Sequence, residues 1–246
     1  MKIMPRDIEM MRWIQEQKFM TGNQIRRVFW KGISANSRED YKRLCELQKA
    51  DCLKRNKKDI YRNALYLVRS YGIKQLKEFG HKHGWNELYD VDYSLFNHDI
   101  AVTDLRILFN EWGYRDWISE RVLSRWRSYR NLADGMIHHR ENYFAIEYES
   151  SQKAKDRYKE IFLNYALDHQ VNAVIYIMES PEMVTRVSRE AASYKKVFFT
   201  TFQELQNQKL ETQLHGNNGP SSLKSLLEGP IESRDLEPSR EQLVHI

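Results

Sequence analysis

The spacing of apolar residues changes near residue 115 of this chain, and this change limits the possible folds more than any other feature. Before that point, apolar side chains recur every three or four residues, as they do on helices that bury one face. Beyond it, short runs rich in aromatic and β-branched residues alternate with two helical segments. This order predicts a mixed α+β or α/β chain, in which a largely helical N-terminal domain precedes a mixed-sheet domain.

The first seventy residues carry the pattern of three helices followed by a hairpin. Thr21 and Ser37 stand directly before the second and third apolar stripes and are suited to cap those helices. Three helices and a hairpin in this order predict a winged helix-turn-helix, whose third helix would enter the major groove of DNA. The predicted helices are 4–19, 22–29 and 37–49, and the predicted strands lie around Leu53 and at 64–68.

Positive charge is concentrated in this first part of the chain. Residues 1–70 contain 17 Lys and Arg against 8 Asp and Glu, whereas acids slightly outnumber bases in the remainder. This distribution is typical of a polyanion-binding module in front of a nearly neutral one. A helical protein-interaction domain with a solvated basic face is the alternative, and the clustering of charge on the third helix and the hairpin favours DNA. The candidate DNA-binding residues are Arg38, Lys42, Arg43, Lys54, Arg55, Lys57, Lys58 and Arg62.

The second part of the chain predicts a helix, a meander of three strands, and two further helix–strand units. The predicted strands are 116–119, 132–138, 143–149, 171–178 and 197–202, and the predicted helices are 73–83, 99–112, 153–168 and 181–194. The chain past residue 208 is rich in Gly, Pro, Ser and Glu, which predicts a disordered tail with a short helix near 223–227. We therefore expect a DNA-binding domain at 1–70, a connecting helix and linker at 71–90, a second domain at 91–208 and a tail at 209–246.

The strands at 132–138 and 143–149 carry the acidic residues that suggest chemistry. A four-residue turn at 139–142 would pair His138 with Tyr143 and, by the same count, set Asp134 opposite Glu147. Directly opposed residues have Cβ atoms about 4.5–5.5 Å apart. Glu149 lies two residues further along the strand, and it therefore shares the face of Glu147. We expect three carboxylates to converge on one patch of the sheet.

Converging carboxylates repel one another, and a hard divalent cation is the natural means of offsetting that repulsion. A bound Mg²⁺ or Mn²⁺ would activate water and neutralise charge on a phosphodiester, with Lys153 or Lys155 supporting the reaction from the following helix. Glu120, after the first strand, is a candidate fourth acid. The alternative is a set of ordinary surface acids, in which Glu149 pairs with a nearby base and a one-residue slip removes the alignment.

The pattern Asp134…Glu147-x-Glu149 with a nearby lysine resembles the PD-(D/E)xK nuclease signature. Over residues 5–205, the order of winged helix, His98-Asp99 helix and acidic hairpin resembles the replication-relaxation family, and within it the MobC-type relaxases of mobilisable plasmids. The resemblance implies a restriction-endonuclease-like catalytic domain that nicks one strand of double-stranded plasmid DNA at its transfer origin, with Mg²⁺ or Mn²⁺. It also implies partners, namely a relaxosome and a coupling protein.

This chain departs from the nuclease signature at two positions. Ala133 stands where the signature has proline, and Glu149 stands where it has lysine, so the lysine would have moved to Lys153 or Lys155. If no lysine takes that role, a non-catalytic transcription or replication regulator becomes the alternative, with its second domain used for dimerisation. Whether water or a protein side chain is the nucleophile remains open at this level.

Other features exclude several classes of function. The sequence contains neither a Gly-rich phosphate loop nor a Ser-His-Asp order, so nucleotide hydrolysis and acyl transfer have little support. We expect no small-molecule cofactor. The two cysteines cannot build a disulfide framework, and no apolar run has the length of a membrane span. We therefore expect a bacterial cytoplasmic protein without membrane insertion.

Overall fold

The computed structural model describes residues 1–34, 36–56, 64–81, 85–125, 132–216 and 222–229. These residues form a mixed α+β protein with ten α-helices and two β-sheets. The chain divides into two compact units, Met1–Ile107 and Leu108–Ile246. In the described ranges, no helix is both long enough and apolar enough to cross a lipid bilayer.

The helices and strands follow one another in nearly the predicted order. The helices are α1 (Pro5–Glu16), α2 (Gly22–Phe29), α3 (Glu39–Lys49), α4 (Ser70–Glu78), α5 (Phe96–Glu111), α6 (Glu120–Leu123), α7 (Lys155–Leu167), α8 (Pro181–Glu190), α9 (Phe202–Gln208) and α10 (Leu223–Glu228). The strands are β1 (Met20–Thr21), β2 (Leu53–Asn56), β3 (Leu65–Val68), β4 (Trp117–Ser119), β5 (Gly135–His139), β6 (Asn142–Glu149), β7 (Ala173–Met178) and β8 (Val197–Thr201). The short helices α6 and α9 were not predicted from the sequence.

The first unit contains the three predicted helices and an antiparallel sheet in the order β1-β3-β2. Helix α2 spans the predicted residues, and its cap is as predicted, because the backbone N–H of Gln24 donates to Thr21 Oγ1 at 3.1 Å. The prediction for Ser37 was wrong. Helix α3 begins at Glu39, whose N–H contacts Ser37 Oγ at 3.3 Å, and Arg38 takes the capping position without a side-chain hydrogen bond.

A buried ion pair joins the first and last helices of this unit. Arg106 on α5 donates from Nη2 to Glu16 Oε2 on α1, and both side chains are almost wholly buried. The Arg106 guanidinium also lies 4.0 Å from the centre of the Trp13 ring. Arg12 contacts the other Glu16 oxygen at 3.0 Å. Two charges taken out of water need this degree of pairing, because an isolated buried charge costs several kcal/mol.

The second unit is built on a five-stranded sheet in the order β4-β5-β6-β7-β8. Strands β4, β5 and β6 pair antiparallel, and β6, β7 and β8 pair parallel. Parallel neighbours require crossover connections, which α7 and α8 provide. One face of the sheet packs with α7 in a core that contains Met136, Ala145, Phe162, Tyr165 and Tyr176.

The hairpin of β5 and β6 has the predicted register but a shorter turn. Its turn has two residues, at 140–141, in place of the predicted four at 139–142. His139 and Asn142, which were predicted to belong to the turn, pair with each other and extend the two strands by one residue each. The other pairs of β5 with β6 are those that the predicted register gives. His138 pairs with Tyr143, as predicted.

The domain limits differ from those expected from the sequence. Residues 71–90 were expected to be a linker, yet Leu76 and Trp85 are buried and the first unit extends to Ile107. The short helix expected near residues 223–227 is present as α10, and part of the expected disordered tail before it is also ordered: His215 pairs with Phe199 of β8, and Gln213 pairs with Ser222. The apolar side chains of α10 are buried, which explains why this segment is structured despite its polar composition. Residues 217–221 and 230–246 lie outside the described residues.

We predict that Arg106→Met will lower the free energy of unfolding by about 3 kcal/mol, because it leaves the Glu16 carboxylate buried without its main partner. Urea denaturation of the full chain measures this loss. In the double variant Glu16→Leu/Arg106→Met, most of the loss should be recovered, since the buried charge is then absent. A single variant as stable as the wild type would contradict the role given to this ion pair.

Candidate active site

The hairpin places Asp134 opposite Glu147 at the edge of the second unit's sheet. Gly135 pairs with Ile146, and the next position along each strand brings the two carboxylates to the same row and face. Asp134 is held there by the backbone, because the N–H of Tyr148 donates to its Oδ2 at 2.7 Å. The sequence-based alignment of these two acids therefore agrees with the observed register.

Glu147 lies in an unfavourable setting for a negative charge. Burial, and next the charge of Asp134, raise the pKa of Glu147 to about 8. Two contacts act in the other direction: the hydroxyl of Tyr165 on α7 donates to Glu147 Oε1, and the charge of Lys153 also favours the ionised form. Perturbed carboxyl groups of this kind are concentrated at functional sites.

Lys153 reaches back to the acidic strand, and Lys155 does not. The Lys153 ammonium forms a salt bridge with Glu149 Oε2, and the Glu149 side chain is buried. Lys155 is two residues further on, is largely exposed and pairs with Glu190 of α8 at 2.8 Å. Of the two lysines considered from the sequence, the structure therefore brings only Lys153 to the acids.

Glu120 continues the same row on the other side of Asp134. Ser119 pairs with Gly135, so the next residue along, Glu120, stands beside Asp134, and its backbone N–H contacts the Asp134 carbonyl at 3.4 Å. The Glu120 side chain is half-buried. In backbone register, the acidic row thus runs from Glu120, the first residue of α6, through Asp134, directly before β5, to Glu147 on β6.

The expected set of three carboxylate ligands is not preformed. Among the residues that the structure describes, no three His, Cys, Asp or Glu side chains are grouped so that they could hold a metal ion together. The salt bridge with Lys153 accounts for Glu149. Asp134 and Glu147 remain as the facing pair, so the expectation of Glu149 as a third preformed ligand does not agree with this arrangement.

Two tyrosines of the site were missed by the sequence-based reasoning. Tyr165 lies on the buried side of α7, seven residues after Tyr158, and this helical spacing is the signal that could have placed it against the sheet. Tyr176 is the partner of Glu147 in the parallel pairing of β6 with β7, so it shares the face of the acids. Its position follows only once the order of the strands is known.

The family model for replication-relaxation proteins matches residues 11–172 of this sequence, which is more than half of the chain. The chain belongs to the replication-relaxation family. The match runs from the second half of α1 through α7 and includes the whole of the acidic hairpin. No curated protein and no solved structure matches the chain. Membership of the replication-relaxation family points to a role in the replication or relaxation of DNA.

The predicted DNA-binding residues of this replication-relaxation protein fall into four groups. Arg38 and Lys42 are exposed at the start and on the outer side of α3. Arg43 has a structural role instead, because its Nε donates to the buried Asp7 carboxylate at 3.0 Å and little of its side chain is exposed. Lys57, Lys58 and Arg62 lie outside the described residues.

The two basic residues of β2 also have partners within the first unit. Lys54 donates from Nζ to the Tyr89 carbonyl at 2.7 Å, and the Arg55 guanidinium lies 5.9 Å from the centre of the exposed Tyr41 ring. Both side chains remain partly exposed. An arginine stacked on an exposed aromatic ring keeps its charge available to a polyanion.

We predict that Glu147→Gln will stabilise the replication-relaxation protein at pH 9 in metal-free buffer and have little effect at pH 4. The folded state favours the neutral form of Glu147, so the stability associated with this group is fully present below pH 4.5 and is lost as the pH rises through 8. Glutamine is neutral at every pH and can still accept from Tyr165. The gain should be about 2 kcal/mol, which corresponds to roughly 4–8 °C in melting temperature.

Thermal unfolding between pH 4 and pH 9 measures this effect. Glu190→Gln, which removes an acid from the surface of α8, is the control and should show no such pH-dependent gain. Equal melting temperatures for Glu147→Gln and wild type across the whole range would contradict the raised pKa.

Proposed function

We propose that this protein is a metal-dependent DNA endonuclease, a relaxase that nicks one strand of double-stranded DNA. The observation that carries the proposal is the hairpin register, which sets Asp134 against Glu147 beside the pair formed by Lys153 and Glu149. Two acids forced together next to one lysine are costly for a purely structural sheet. The same residues are suited to phosphodiester cleavage.

The order of elements supports this proposal. Helix α5, the antiparallel strands β4 to β6, helix α7 and the parallel strand β7 follow the order expected of a restriction-endonuclease-like domain. The first unit begins with the three helices α1 to α3, and β2 and β3 follow them in a small antiparallel sheet, which is the order expected of a winged helix-turn-helix. A DNA-binding module joined to a nuclease-like module fits a DNA-nicking enzyme.

The donor set fits a hard divalent cation. Asp134 and Glu147 supply carboxylate oxygens. Burial, and next the charge of Asp134, raise the pKa of Glu147, and a cation bound by both acids would offset both effects. Mg²⁺ is usually bound by one or two carboxylates and keeps several waters, so two facing acids suffice for Mg²⁺ or the similar Mn²⁺. When bound, such an ion supplies an activated water and charge stabilisation at the phosphodiester.

The protein's own residues have separable roles in this proposal. Asp134 and Glu147 bind the ion, and the Tyr165 hydroxyl orients Glu147. Lys153 forms a salt bridge with Glu149 and places a positive charge beside the acids, where it would stabilise the negative charge that builds up on the phosphate. Glu120 extends the acidic row towards β4.

The DNA substrate is proposed from the family resemblance. MobC-type relaxases act at the transfer origin of mobilisable plasmids, so we propose that this protein nicks such an origin and works with a relaxosome and a coupling protein. In this proposal, Arg38 and Lys42 on the exposed side of α3 contact the DNA first.

We predict that Asp134→Asn and Glu147→Gln will each reduce the nicking of supercoiled origin-containing plasmid by at least a hundredfold, because the ion loses a charged ligand. The conversion of supercoiled to open-circular plasmid in Mg²⁺ or Mn²⁺ measures this activity. Lys153→Ala should reduce the rate by about tenfold or more, and Lys155→Ala, which removes a neighbouring lysine that pairs elsewhere, should leave it unchanged.

The result also separates the enzyme from a DNA-binding regulator. Wild-type protein that binds the origin but never nicks it in any divalent ion would overturn the endonuclease proposal and favour the regulator. Equal losses in Lys153→Ala and Lys155→Ala would contradict the specific role of Lys153.

We predict that the double variant Arg38→Ala/Lys42→Ala will weaken binding to double-stranded DNA by about tenfold and lower the slope of log affinity against log salt by about two, since each residue would contact one phosphate. Fluorescence anisotropy at several salt concentrations measures both quantities. Lys74→Ala, which removes an exposed lysine from α4, is the control. A control that loses as much affinity as the double variant would contradict a DNA-binding role for α3.

A further inference from the structure

Tyr176 on β7 lies beside the acidic row, and its hydroxyl has no hydrogen-bond partner in the described protein. Only 1% of the residue is exposed, and its hydroxyl oxygen is buried without a hydrogen-bond partner in the described protein. Tyr176 is the parallel-strand neighbour of Glu147, so its side chain extends from the same face as the acids. A buried hydroxyl without a partner is unfavourable for folding, so its presence calls for an explanation.

The surroundings of the ring keep this hydroxyl in place. The Tyr176 ring packs against Phe162 of α7 at 5.4 Å and against Phe199 of β8 at 5.6 Å, measured between ring centres. The ring is therefore fixed on two sides by the core. The Tyr176 hydroxyl forms no hydrogen bond with Glu147. The contact to Glu147 Oε1 is made by Tyr165 instead.

The charges around the hydroxyl are those of the candidate site. Burial, and next the charges of Glu147, Glu149 and Asp134, raise the pKa of Tyr176 far above its ordinary value. A phenol is in any case a hydrogen-bond donor at neutral pH, because its ordinary pKa is about 10. A neutral donor pointing at a group of carboxylates, yet bonded to none of them, is suited to a ligand that lies between them.

We propose that Tyr176 is a positioning residue of the candidate site, whose hydroxyl holds a water molecule bound to the divalent cation between Asp134 and Glu147. This inference rests on the proposed function, because it requires that the acids bind a cation. Groups that orient a metal's ligands through hydrogen bonds typically contribute 10–100-fold to metal affinity. A water molecule is also the ligand that Mg²⁺ and Mn²⁺ retain in two-carboxylate sites.

The test compares three full-length proteins: wild type, Tyr176→Phe and Tyr194→Phe. Tyr194 belongs to the same core and packs on the same Phe162, at 5.8 Å between ring centres. The variant Tyr194→Phe is therefore the matched control, because it also removes one tyrosine hydroxyl from this core. Mn²⁺ affinity is measured by calorimetry or by electron paramagnetic resonance, and the melting temperature is measured in metal-free buffer.

The expected result for Tyr176→Phe is an approximately tenfold weaker affinity for Mn²⁺ with an unchanged or higher melting temperature without metal. The two readouts separate positioning from packing, because removing an unsatisfied hydroxyl does not weaken the metal-free fold. Tyr194→Phe should bind Mn²⁺ as the wild type does.

Three results would overturn the inference. Equal Mn²⁺ affinity in Tyr176→Phe and wild type would remove the role of Tyr176 and leave the metal site standing. A Tyr176→Phe variant with a clearly lower metal-free melting temperature would assign the hydroxyl to the fold. Wild-type protein that binds no Mn²⁺ would remove the proposed metal site itself, and this inference with it.

Discussion

The antiparallel pairing of β5 with β6 determines the arrangement on which the rest of the candidate site depends. Backbone hydrogen bonds and the apolar pair Met136 and Ala145 fix the register, and this register forces the acid at 134 to face the acid at 147. The other face of the hairpin has its own constraint at Gly135. A Cβ atom there would lie 2.0 Å from the Trp117 ring, so only glycine lets β4 pack so closely onto the hairpin.

The two facing acids oppose the stability of the fold that holds them together. The surrounding core holds both acids in place. Tyr165 offsets part of the unfavourable energy by a hydrogen bond, and Lys153 offsets part of it by its charge. Local strain and repulsion of this kind persist only where the rest of the structure compensates for them, and they are typical of functional sites. Asp134, Glu147 and Tyr176 share one face of the sheet, and the proposed cation would account for that arrangement.

The first unit shows that counting basic residues overestimates the surface available to DNA. Arg106 is buried in the ion pair with Glu16, and Arg43 binds Asp7. Both guanidinium groups are therefore engaged within the unit and do not add to its exposed positive surface. Arg38 and Lys42 differ from them because α3 exposes both. The net charge identifies the basic unit, and the packing of its helices decides which cations face solvent.

The sequence by itself determined all the longer helices and strands, the short helix near residues 223–227, the change from helical to alternating spacing, and the register that opposes Asp134 and Glu147. These features depend on local periodicity and on a short turn, where the two residues involved are only thirteen positions apart. The tertiary structure decided that Lys153 and not Lys155 reaches the acids, that Tyr165 and Tyr176 join them, and that His215 pairs with Phe199 of β8. The physical reason is that a long or aromatic side chain finds its partner on an element distant in sequence, and the order of strands and the packing of α7 place that partner.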